Sequence, residues 1–206
     1  MAAFHYCFNT STIRGQKLSL VEEIDIVAGA GYTAIEPWIN EIEAYIKQGG
    51  SLPDLKKRIS DLGLTVASAI GFAEWIVDDD TKRANGLEHA RRDMDLVQQI
   101  GGTRIAAPAA GATDVTNIDY LKVAERYRAL LALGDHFGVV PMVEVWGFSK
   151  TLTRLGQAAL VADTYRQWVV GATATAAYDV GVLFSNANNP GNPQVQTILK
   201  SLPNVK

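Results

Sequence analysis

The residue with most chemical potential is Glu144, in the run PMVEVWGFSK (141–150). Val143, Val145 and Trp146 surround it, and Gly147 ends the run. An unpaired buried carboxylate is costly, so an acid in such a segment calls for a cation, a ligand or a second polar group. Glu36, in IEPW (35–38), is a second candidate for a binding role, and reads equally well as a turn or capping acid. Trp38, Trp75 and Trp146 could wall a pocket, because an indole offers an apolar face and a polar edge; each could also pack beneath loops. Lys150 and Arg154 follow closely enough to reach a phosphate on a ligand, although such cations commonly decorate the first turns of a helix. The run APAAGATD (107–114) lacks the lysine and helix-opening glycines of a phosphate loop and reads as a turn after a strand.

These residues need elements to carry them. Short apolar runs at 2–8, 32–38, 64–71, 103–111 and 139–147 alternate with helix-period segments at 19–31, 51–63, 80–102, 118–138 and 150–169. In the first helix Leu20, Ile24, Val27 and Ala28 share a face, and Ser19 with Glu22 forms a capping box. Pro37 should end the second strand. Five βα units with nearly continuous apolar strands point to a parallel sheet covered on both faces. An open doubly wound sheet or a (β/α) barrel suits that order. The turn after the first strand, NTSTIRGQ, has no glycine-rich fingerprint, and polar and aromatic residues recur at several strand ends, as at a barrel's catalytic face. The barrel is therefore expected. A complete one takes about 250 residues, and five units consume most of these 206, so it is expected to be incomplete, with one further βα-like unit.

Composition narrows the class. The chain is 48% hydrophobic and 20% charged with a net charge of −3, which fits a globular domain and offers no basic footprint for nucleic acid or anionic membrane. The single cysteine, Cys7, cannot form an internal disulfide; no run of about 20 apolar residues or secretory leader is visible, so a cytoplasmic setting is expected.

The stretches GYTAIEPWINEIEAYIKQGGSLPDLKKRISDLGLTVASAIGFAEWIVDD, IGGTRIAAPAAGATD and PMVEVWGFSKTLTRLG resemble the sugar phosphate isomerase/epimerase family, with xylose isomerase-like TIM barrels, over about the first 160 residues. The resemblance implies a divalent metal, Mg²⁺ or Mn²⁺, at the barrel mouth and proton transfer next to the carbonyl of a small sugar or sugar phosphate. Under it Glu144 is the first metal ligand and the candidate base. Asp179, in DVGVLF (179–184), is the nearest match to the second ligand, and Val182 stands where the pattern has a histidine. Glu36, Trp38, Trp75, Trp146 and Lys150 are placed around the substrate. The family's later His and Glu ligands have no counterpart, since residues 180–206 contain no Asp, Glu or His.

The expected organisation is a partial barrel over 1–169 and a divergent strand–loop–helix segment over 170–206, packing onto the same sheet. The composition shift in that segment leaves a fragment or frameshift, a natural short variant and a fusion all open. Two functional readings follow: an isomerase or epimerase with an impaired metal site, or a non-catalytic α/β scaffold. Open sheet edges predict self-association in either case.

Overall fold

The computed structural model describes residues 6–170. Five strands, β1 (Cys7–Asn9), β2 (Ala34–Glu36), β3 (Thr65–Val66), β4 (Arg104–Ala107) and β5 (Val140–Val143), all pair in parallel. Asn9 lies opposite Glu36, Ile35 opposite Val66, and Ala107 opposite Val143. Ile70 joins the two ladders, bridging to Trp38 on one side and Ala106 on the other. The strand order is therefore 1-2-3-4-5. A doubly wound sheet reverses direction at a switch point; this succession does not, and it is the partial barrel expected from the sequence.

Among the described residues six α-helices follow the strands: α1 (Leu20–Gly29), α2 (Ile39–Lys47), α3 (Leu52–Asp61), α4 (Asp80–Gln99), α5 (Tyr120–Phe137) and α6 (Leu155–Val170). The capping box of α1 is present, with Ser19 Oγ accepting from the Glu22 amide and Glu22 Oε2 accepting from the Ser19 amide. Pro37 does follow the end of β2, yet the chain enters α2 at once. Glu41 reaches back to the Trp38 amide at 3.0 Å, and Ile39 and Ile42 bury one face. The turn NTSTIRGQ contains a 3₁₀ segment, Thr10–Gln16, capped by Asn9. β3 is shorter than its apolar run suggests, because only two residues join the ladder before Ile70.

Strand residues alternate between two environments. Ile35, Val66, Ile105 and Val143 point into the layer shared with the helices, where Ile24, Leu55, Met94 and Leu130 are also buried. α4 packs closely on the loop that precedes it: a Cβ at Gly86 would lie 2.5 Å from the Glu74 carbonyl oxygen. The other parity, Ala34, Glu36, Ala106, Met142 and Glu144, faces the barrel side. The expected segment 170–206, Asp179 included, lies outside the described residues except for its first member.

Candidate active site at the strand ends

β2 and β5 end in the same pattern, Glu-x-Trp: Glu36-Pro37-Trp38 and Glu144-Val145-Trp146. Both carboxylates have the barrel-side parity, and both residues are 8% exposed. The charge of Glu36 reaches Glu144 and also the Cys7 thiol on β1.

Their partners differ. Glu36 Oε2 accepts from Asn9 Nδ2 at 2.8 Å, while Asn9 Oδ1 accepts from the Trp38 indole at 3.1 Å and the Ser11 amide at 3.0 Å. Asn9 thus ties β1, the acid of β2 and its tryptophan together. Glu144 is fixed through its backbone, which donates to the Ala107 carbonyl at 3.3 Å. Its Oε2 is buried without a hydrogen-bond partner among the described residues. Burial holds the Glu144 pKa above the ordinary carboxylate value; the Trp146 side chain, hydrogen-bonded to it, opposes the shift, and the Glu36 charge adds to it.

Aromatic rings flank the acids. Trp38 and Phe72 have centroids 5.1 Å apart, Phe72 and Trp146 5.9 Å, and Trp146 stacks with Phe148 at 5.1 Å. Trp38 and Trp146 are half-buried, whereas Phe148 is 74% exposed. Phe72 closes the gap between the two tryptophans and, like Phe148, was missed from the sequence. Asn9 was missed as well. The repeated Glu-x-Trp spacing was the available signal for this end of the sheet.

Two expected site residues are placed elsewhere. Trp75 is 1% exposed, packs on Tyr127 with centroids 5.7 Å apart and donates its indole N–H to the Pro108 carbonyl at 2.9 Å. It is a core residue beneath the loops. Lys150 is exposed and pairs with Asp114 at 3.0 Å, while its amide donates to the Thr113 carbonyl at 2.6 Å. Together with Thr151, whose hydroxyl donates to the Val115 carbonyl at 2.6 Å, it pins the loop after β5 to the loop after β4.

A divalent cation needs several hard oxygen or nitrogen donors. The orphaned Oε2 of Glu144 suits one of them. No group of three or more His, Cys, Asp or Glu able to hold a metal occurs among the described residues.

Comparison with known proteins gives a consistent fold. A model of the family described as "Xylose isomerase-like TIM barrel" matches residues 24–172. A 3-dehydroshikimate dehydratase of Pseudomonas aeruginosa is 28% identical over 114 residues, covering 52% of this chain and 18% of that protein. The structure of the IolI protein with a binding zinc atom superposes with a TM-score of 0.68 at 18% identity, over 79% of this chain and 59% of the other. D-psicose 3-epimerase from Clostridium cellulolyticum H10 gives 0.59 at 19% identity, over 73% and 54%. The chain spans about a fifth of the dehydratase's length and under two thirds of either structure.

Proposed function

The chain belongs to the xylose isomerase-like TIM barrel family, and from that premise we propose that it carries the sugar isomerase/epimerase type of site, which transfers a proton next to the carbonyl of a small sugar or sugar phosphate. The observation that carries the reading is the buried, unpartnered Oε2 of Glu144 at the end of β5. Glu144, with Asp179 from outside the described residues, would hold a divalent cation, Mg²⁺ or Mn²⁺, which when bound polarises a carbonyl or hydroxyl oxygen. Support comes from the names of structural neighbours, which include a zinc-bound protein and a sugar epimerase.

The chain's own residues have separable tasks in this reading. Glu144 takes the proton from carbon; burial raises its basicity above that of a surface glutamate, and the Trp146 N–H keeps it oriented. Trp38, Phe72 and Trp146 face the substrate and exclude water from the carboxylates. Glu36, held by Asn9, accepts hydrogen bonds from substrate hydroxyls. Lys150 reaches a phosphate only by leaving Asp114, so an unphosphorylated sugar suits the site better.

Deuterium uptake from D₂O into a panel of ketoses, with Mn²⁺ and the full chain, tests this. Exchange at the carbon next to the carbonyl, abolished in Glu144→Gln, is expected; no exchange with any ketose would remove the reading. The second reading, a non-catalytic scaffold, rests on the lack of a three-residue ligand cluster among the described residues. Self-association through the edges of β1 and β5, unpaired among the described residues, belongs to either reading, and a strictly monomeric mass in light scattering would dismiss it.

A further inference from the structure

A buried acid lies behind the strand ends. Glu23 of α1 is 3% exposed, and its Oε2 has no hydrogen-bond partner among the described residues. It stands in the apolar stripe Leu20, Ile24 and Val27, at the slot three residues after Leu20 where the pattern calls for a hydrophobe. The helix start does not need it, because Ser19 and Glu22 already form the capping box.

The charge that acts on Glu23 is Glu41 of α2. On α1 itself, Glu22 is bound to Ser19 and Asp25 to Arg58. Arg14 in the 3₁₀ segment, Lys17 just after it and Glu43 of α2 are exposed. Glu41 is a strut between two junctions. Its Oε2 accepts from Thr10 Oγ1 at 2.5 Å and from the Trp38 amide at 3.0 Å. Thr10 is 0% exposed and its hydroxyl also lies 3.5 Å from the Glu36 carbonyl oxygen. Trp38 in turn donates to Asn9, which holds Glu36.

Of two neighbouring acids, the one buried without a donor ionises at the greater cost. Half-buried Glu41 accepts from two donors, whereas Oε2 of Glu23 has none, so Glu23 is the acid that keeps the proton. We propose that Glu23 is a proton-dependent positioning residue: as the neutral acid it leaves Glu41 to hold Thr10 and Trp38, and as the carboxylate it repels Glu41 and loosens that hold. Burial, and then the Glu41 charge, push the Glu23 pKa up to about 7 from 4.5. Between those values the unfolded chain has released the proton and the folded one retains it. Stability therefore falls as pH rises through that window, and the loss is complete above about 7.

The inference rests on the proposed function only for its consequence at the site, so its test avoids activity. In the ¹⁵N-labelled full chain, the Trp38 indole resonance, assigned with Trp38→Phe, is followed from acid to mildly alkaline pH. Trp75, bonded to Pro108, is the internal control. The Trp38 signal is expected to titrate near neutral pH while Trp75 stays still, and Glu23→Gln should abolish the titration. The same variant should raise Tm by roughly 3 °C or more above pH 7.5 and leave it unchanged near pH 4.5. A pH-independent Trp38 signal, a titration that survives Glu23→Gln, or a Tm gain equal at both pH values would each overturn the proposal. A purely structural Glu23 would move Tm without removing the Trp38 titration, and so counts against it.

Discussion

The ends of β2 and β5 carry one motif with two outcomes. In Glu36-Pro37-Trp38 the carboxylate and the indole are both bonded to Asn9. In Glu144-Val145-Trp146 the indole bonds its own glutamate and one carboxylate oxygen is left with no partner. Both acids are equally buried. Burial alone therefore does not separate the two strand ends; the unmet hydrogen-bonding capacity of Glu144 does. The first strand end is a finished piece of structure, and the second is structure that a ligand would complete.

The contrast can be broken from the satisfied side. Asn9→Ala removes three contacts at once, leaving Glu36 and the Trp38 N–H unpaired. Its expected cost is about 2 kcal/mol in denaturant unfolding, since buried polar groups are then left unmet. A smaller effect compares the acids directly. Glu36→Gln should cost up to about 1 kcal/mol by weakening a charge-assisted bond. Glu144→Gln, in metal-free protein, should cost nothing or stabilise slightly, because it removes a buried carboxyl with one unpartnered oxygen. Equal losses for the two would mean that the strand ends are alike after all.

Much of the framework was legible in the sequence because it rests on local signals. The α1 capping box, the end of β2 at Pro37 and the succession of βα units all follow from residues within a few positions of one another. The sequence favoured a barrel over an open sheet from the residues at its strand ends, and the Ile70 bridges to Trp38 and Ala106 supply the strand order that bears it out. The helix α2 escaped notice because Pro37 looks like a stop signal, and its start depends on Glu41 folding back onto Trp38. The site was legible in part. Glu144, Glu36, Trp38 and Trp146 do converge, but Asn9 is 27 residues from Glu36 and sits in a run that reads as a plain turn. Trp75 looked like its neighbours in the list of strand-end aromatics until Tyr127 and the Pro108 carbonyl claimed it. Glu23 breaks an otherwise apolar stripe, and that irregularity could have singled it out.

The central claim is that Glu144, and not Glu36, is the acid that awaits a cation. Thermal unfolding of the full chain with and without millimolar Mn²⁺ tests it most directly, because a ligand that binds only the folded state raises Tm. Wild type and Glu36→Gln should both gain stability with Mn²⁺, and Glu144→Gln should gain none. A gain that persists in Glu144→Gln, or its absence in the wild type, would contradict the account.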